Sequence, residues 1–469
     1  SARWHITHSV LHGFNYSPPE IPFPGWIRYG TFFSEKNPWW SYFEKWAMYN
    51  TRISTVMQHS ENFADIAVLH PLADMWSMYG PQRDPFPGVY YPDYQYRIWD
   101  AIHRNGNACD YVSEEVIRKS SCKDGCLTYG NRKYHTLMLL KVESLHPETA
   151  EKLLDFVKNG GKVIFVESEP FKSAGLQDYK NNDQKVKGTI RTLKKKYASS
   201  VFTVDPPQQN ETGWFKMIQE KCDIKPYIKF STVNLFVNQI RQQTETQDIY
   251  FISNCNVNNT ISFDATFPHK NRQAWIWDPE SGERYLYSKT TNNTLHIELE
   301  PATSKLIVFE KNKIEGKPLP ILPQENANPL LLTDWQVTMR HINGEVNTRQ
   351  IEELPDWSTL PETRSFAGEL VYTTEVVNSG NFNYLDLGKV YGVSEVWVNG
   401  KNLGSRWYGR HLYLIPKEMA AHEKLEIKVM VTTTAGNYLK SDKANKVGQY
   451  WTFYQSWQPM GMLGEVKLF

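Results

Sequence analysis

The rhythm of hydrophobic and polar positions changes several times along this chain. An apolar run over residues 5–14 predicts a strand, and the Pro-rich stretch 17–26 (SPPEIPFPGW) follows it. Prolines fix φ and remove amide donors, so this loop is stiff and cannot join a sheet. After Asn37-Pro38, a suitable cap and first-turn residue, Trp39, Phe43, Trp46, Asn50, Ile53 and Met57 recur at three- and four-residue steps. That spacing predicts a helix with one largely apolar stripe. One strand and one helix do not make a domain, so residues 1–62 are expected to belong to a larger sheet.

Over residues 63–235 short apolar runs of buried-strand type, at 65–70, 134–142 and 162–167, alternate with helical patterns. One helix carries Ile98 and Ile102. Another opens at His146-Pro147-Glu148, repeats Ala150, Leu153, Leu154 and Val157, and closes at Gly160-Gly161. Strand–helix–strand alternation predicts a parallel sheet covered by helices. From residue 236 the period falls to two, with short strands at 248–253, 272–277, 284–287, 295–299 and 304–310, and residues 236–318 are expected to form a small antiparallel β domain. Residues 311–329, rich in Pro, Lys, Glu and Asn, suggest a linker. Alternation resumes at 384–387, 393–398, 411–415 and 424–431, with a tight Asn399-Gly400 turn, so residues 319–469 are expected to hold a linker and a β-sandwich of jelly-roll type. The expected fold class is multidomain, α/β plus all-β.

With 469 residues the chain exceeds a single core. A net charge of +1 supplies no field to gather nucleic acid or an anionic membrane, and no stretch of 18 apolar residues exists to span a bilayer. Aromatics make up 14% of the residues, enough for both large cores and the flat surfaces that suit sugar rings. The cysteines, Cys109, Cys122, Cys126, Cys222 and Cys255, do not fall at zinc-site spacing, and they are compatible with buried thiols or one disulfide. The chain opens at Ser1 inside an apolar run, without an initiator methionine, as a piece of a longer protein would.

Four segments occur in order: 12–19 (HGFNYSPP), 24–26 (PGW), 37–40 (NPWW) and 65–71 (DIAVLHP). Together they resemble the region of glycoside hydrolase family 106, inverting α-L-rhamnosidases, where the last strand of a (β/α)₈ barrel leads into the next domain. The likeness extends with lower specificity over the whole chain. Residues 63–235 resemble the amidotransferase-like, Rossmann/flavodoxin-like domain of the β-galactosidase-trimerisation type. Residues 397–404 (WVNGKNLG) and 461–466 (GMLGEV) resemble a galactose-binding-like sandwich.

The resemblance implies an upstream barrel as partner, a carbohydrate substrate from plant or microbial polysaccharides or glycosides, and a periplasmic or extracellular bacterial location. It also implies that the acid and base lie on barrel strands before residue 1. No catalytic residue is therefore placed on this chain, which alone is expected to be inactive. His12, Asn15 and Tyr16, at a barrel strand's end, and Trp26 become substrate-binding candidates, while Trp39 and Trp40 suit helix packing better. Glu20, in the Pro-rich loop, suits a solvated or pocket-edge position, and Asp65 and Glu167, which flank strands, suit capping or surface roles. The family suggests calcium in the complete enzyme, yet no Asp-rich loop of calcium type appears.

Two other classes compete. A separate amidotransferase-like or nucleotide-binding enzyme at 63–235 would need a nucleophilic Cys or a Gly-rich phosphate loop after a strand, and neither is present. A non-catalytic carbohydrate-binding or scaffold protein would use the C-terminal sandwich, with Trp397, Arg406, Trp407, Tyr408 and His411 near a hairpin.

Overall fold

A computed structural model describes residues 6–11, 13–26, 32–79, 91–287, 290–291, 293–320, 329–378, 382–420, 422–441, 446–452 and 454–469. The chain forms two compact units. One contains Ser54–Leu299 and Ser304–Leu319; the other contains His8–Ile53, Glu300–Thr303 and Pro320–Phe469.

The first unit is built on five parallel strands: β1 (Ile66–Leu69), β2 (Cys109–Val112), β3 (Thr136–Leu140), β4 (Lys162–Val166) and β5 (Val201–Val204). Their order is β2-β1-β3-β4-β5, so the order in which strands are added reverses between β1 and β3. All of β1 and β3 is buried, which is why both are continuous apolar runs without alternation. Helices Gln95–Arg104, Glu114–Lys119, Pro147–Lys158, Tyr179–Lys196 and Glu211–Lys221 accompany the strands. Pro147–Lys158 starts where its proline predicts, and Gly160, at φ +97°, ends it in a left-handed conformation.

The same unit carries a second core between two further sheets. Seven strands, among them Val237–Gln243, Gln247–Asn254, Ser304–Glu310 and Gln273–Trp277, form one; Ile261–Thr266 and Thr294–Leu299 centre the other, four-stranded one. Tyr250, Phe263, Ile297 and Phe309 pack together in this core. Part of the expected linker is structured, because Lys317–Pro318 pairs in parallel with Arg284–Leu286.

The second unit is an antiparallel sandwich. Its six-stranded sheet runs Val346–Ile351, Trp335–His341, Gly368–Val377, Lys424–Thr432, Val393–Val398 and Lys401–Arg406. The four-stranded sheet uses Leu330–Leu331, Lys467–Leu468, Tyr384–Asp386 and Leu412–Leu414. Trp335, Trp357 and Tyr372 fill the centre, where Trp357 Nε1 donates to the Tyr372 hydroxyl at 2.8 Å. The Asn399-Gly400 turn has φ of +46° and +76°, the two left-handed positions that a tight hairpin requires.

The strand expected over 5–14 is not formed. Described residues 6–11, 13 and 14 pair with no strand, and no closed barrel exists among the described residues. A strand is stable only when a neighbour satisfies its amides and covers one face. Here Val10, Leu11 and Phe14 remain exposed, so an apolar run alone gave a misleading signal. The five cysteines are free thiols. Cys122 lies opposite Leu127 and Cys126 opposite Lys123, so their hairpin does not pair them with each other.

Candidate functional site

The candidate binding residues lie on the segment of the second unit that precedes its helix. Ser17 is its buried anchor: its hydroxyl accepts the Trp26 amide at 2.6 Å, closing the Pro-rich loop. Gly25, at φ +78°, is required there, because a Cβ would lie 2.4 Å from Ser17 Oγ. Lys36 Nζ donates to the carbonyls of Pro18 and Ile21, and Asn37 Nδ2 donates to Phe32 O at 3.0 Å. With its backbone held in this way, the loop leaves Tyr16 and Trp26 63% and 61% exposed. The Asn15 amide donates to Phe33 O at 2.7 Å, which fixes the backbone at that residue. His12 lies outside the described residues.

Trp39 and Trp40 follow the packing alternative. Both stack on Phe43, with centroids 6.2 and 4.6 Å away, and Phe33 and Trp46 complete the cluster. Further along, Tyr42 donates to Glu395 at 2.7 Å, and Tyr49 meets Trp407 and Tyr408 edge-on at 5.6 and 5.5 Å. Those two sandwich aromatics therefore support the helix. His411 is buried against Ser394, and Trp397 is capped by Lys428 Nζ at 4.2 Å from its ring centroid.

In the first unit, a cluster of polar side chains gathers at the C-terminal ends of β1, β3 and β4, where the strand order reverses. Such switch points are where open α/β sheets commonly bind ligands. Lys141 and Glu167, the residues just after β3 and β4, both have positive φ (+50° and +69°), and they form an ion pair at 2.5 Å. Tyr94 donates to Glu167 at 2.9 Å. Asp74, buried, accepts the amides of Glu143 and Ser144 and the Ser144 hydroxyl, at 2.9, 3.2 and 2.6 Å. Lys172 lies 3.7 Å from Asp74 and 2.9 Å from Glu143.

The electrostatics of this cluster favour fixed charges. The bond to Glu167 holds the Lys141 ammonium above its ordinary value. Burial alone would lower Lys172, but Glu143 and Asp74 outweigh it and hold that group up as well. Burial pushes His70 down, and its Nε2 lies 2.9 Å from the Tyr91 carbonyl. A protonated lysine is not a nucleophile, and Lys141, at the turn after β3, is tied to Glu167. The sequence did not reveal this cluster, because the order of strands in the sheet is not written in their periodicity.

Asp65 is no surface group. It is buried, accepts the Ala108 amide at 2.8 Å and the Asn107 side chain at 2.5 Å, and lies 3.5 Å from His135, so it ties the start of β1 to the chain entering β2. Glu20 is exposed. Every described carboxylate with a displaced pKa is displaced downward: Glu115, Glu169, Asp183, Asp223, Asp248, Glu362 and Glu418. A glycosidic general acid needs the opposite displacement. Among the described residues no group of three or more His, Cys, Asp or Glu side chains is placed to hold a metal ion, so no calcium chemistry is derived from this chain. No helix among the described residues is long and apolar enough to cross a membrane.

Comparison with known proteins places this geometry in context. The family model described as alpha-L-rhamnosidase, glycoside hydrolase family 106, matches residues 5–288. A protein of Formosa agariphila, provisionally named a β-glucuronidase, is 27% identical over 337 residues, which is 69% of this chain and 26% of that protein. The solved rhamnosidase of Novosphingobium sp. PP1Y superposes with a TM-score of 0.64 at 18% identity, over 94% of this chain and 42% of that one, and thus shares its fold. The chain accordingly spans well under half the length of either relative.

Proposed function

From a chain that belongs to glycoside hydrolase family 106, the α-L-rhamnosidases, we propose a role as the C-terminal, non-catalytic portion of an inverting α-L-rhamnosidase acting on plant or microbial polysaccharides or glycosides. The observation that carries this reading is the family match over residues 5–288, together with the relatives' far greater length. In an inverting enzyme one carboxylic acid protonates the leaving oxygen while a carboxylate roughly 6.5–9.5 Å away activates water. The greater length of the relatives supports placing that pair on a (β/α)₈ barrel that precedes this chain in the longer protein.

In this reading residues 1–62 complete the barrel's C-terminal edge once the upstream strands supply backbone partners. His12, Asn15, Tyr16 and Trp26 then border the sugar site, with the exposed Trp26 ring as a platform. Residues 63–235, 236–318 and 319–469 brace the barrel as an amidotransferase-like domain, a small β domain and a galactose-binding-like sandwich. Polysaccharide substrates are met outside the cytoplasm, which suits a periplasmic or extracellular enzyme.

The name of the Formosa relative raises a second reading, a β-glucuronidase. Rates of the longer, barrel-containing protein on an aryl α-L-rhamnoside and an aryl β-D-glucuronide separate the two. We expect the rhamnoside to be cleaved, with β-L-rhamnose as the first product in proton NMR. Preferential cleavage of the glucuronide would overturn the assignment. First release of α-L-rhamnose would overturn the inverting mechanism.

A further inference from the structure

The sandwich has a cleft of about 460 Å³ that the proposed hydrolytic role does not use. It is formed within one unit by the hairpin of Trp335–His341 and Val346–Ile351, the loop 362–366 and helix Gly436–Ser441. Its size lies within the roughly 300–1,000 Å³ of small-molecule sites.

One wall is aromatic. The His341 ring lies 5.3 Å from Phe366 and 5.2 Å from Tyr438, edge-on to both. The hairpin fixes His341, because its Nδ1 accepts the Asn343 amide at 3.0 Å and its own amide donates to Glu345 O at 2.8 Å. With Nδ1 an acceptor, and burial pushing the ring's pKa down, the imidazole is neutral. The remaining lining is polar. Glu345, Asn347 and Ser365 line the cleft, and their side chains make no hydrogen bond to other described residues, so donors and acceptors stand ready together.

Charge narrows the ligand. Arg349 is the cleft's one guanidinium and lies 3.4 Å from Glu362, while Glu345 adds a second carboxylate. The sum is one negative charge, which disfavours uronates, sulfated sugars and phosphates. An aromatic wall beside mixed amide, hydroxyl and carboxylate groups suits a polyhydroxylated ring with one apolar face.

We propose that this cleft is a binding site for a neutral saccharide. The test is titration of the 469-residue chain with L-rhamnose, D-galactose, D-glucose and D-glucuronate, followed by saturation-transfer NMR and calorimetry. At least one neutral sugar is expected to bind and glucuronate is not. Asn347→Ala and Glu345→Ala change exposed residues, so their melting temperatures should match the parent while neutral-sugar affinity falls by about tenfold or more. Leu176→Ala, at an exposed position of the other unit, should leave that affinity unchanged. Three results would overturn the proposal: no neutral sugar bound, glucuronate bound more tightly, or unchanged affinity in both cleft variants.

Discussion

His411 sits within the sandwich beside Ser394, whose hydroxyl also meets the Tyr413 hydroxyl at 2.7 Å. Burial, helped by the Arg406 charge, pushes its pKa down from 6.5 to about 4. A histidine lowered on folding stabilises the fold fully above its unfolded value and loses that contribution as pH falls through the folded one. The window is therefore pH 6.5 to about 4, and the contribution is on the order of 3 kcal/mol. His269 behaves alike in the other unit, driven to about 4 by burial. Its neighbour Asp248 is held low by Arg241, His269 and Arg272 despite a burial that would raise it, and its contribution is lost at still lower pH. Urea midpoints should thus fall steeply between pH 7 and 4.5, and His411→Gln should flatten part of that slope in the sandwich; a pH-independent midpoint would contradict these environments. Asp65→Ala would strand the Ala108 amide and the Asn107 side chain, and should lower stability by about 2–3 kcal/mol in chemical denaturation. For the longer enzyme, Trp26→Ala should raise KM on an aryl rhamnoside several-fold with kcat little changed, as loss of a platform requires. Such residue roles were only partly legible in the sequence. Asn399-Gly400 announced its hairpin through left-handed preference, whereas the burial of Asp65 depends on the chain entering β2, 40-odd residues away, and no local pattern encodes it.

Elements with strong local signals were legible. Pro147–Lys158 has its proline, its apolar spacing and its glycine stop, and β3 and β4 are apolar runs of strand length. Elements whose pattern depends on partners were not. Val237–Gln243 is rich in Asn and Gln, yet it is a largely buried strand whose polar side chains find partners, as where Gln239 donates to the carbonyls of His103 and Asn107 at 3.1 and 2.9 Å. Val346–Ile351 alternates poorly because it is an exposed edge. Residues 5–14 erred in the other direction, apolar without a neighbour to pair with. The junction after helix Gln95–Arg104 offers a test at this scale. Gly106 has φ +82°, and a Cβ there would lie 1.9 Å from the Ile228 carbonyl oxygen. Gly106→Ala should cost at least about 2 kcal/mol, since backbone on both sides must move. Gly130→Ala, with φ +58° and open space around the Cβ, should cost about 1 kcal/mol. Equal losses in thermal melts would show that close approach at Gly106 does not matter.

At the scale of the whole molecule, the family match and the length of the relatives point to a larger enzyme. The parallel sheet within 66–204 and the antiparallel strands after 236 followed from the changing hydrophobic period. The polar cluster at the β1/β3 switch point and the sandwich cleft did not, because both arise where distant segments converge. The most direct test of the central claim is hydrolysis of an aryl α-L-rhamnoside by the purified 469-residue chain, assayed beside the same chain joined to the barrel proposed to precede it. The account predicts turnover only in the longer protein. Turnover by the 469-residue chain alone, at a comparable rate, would contradict it.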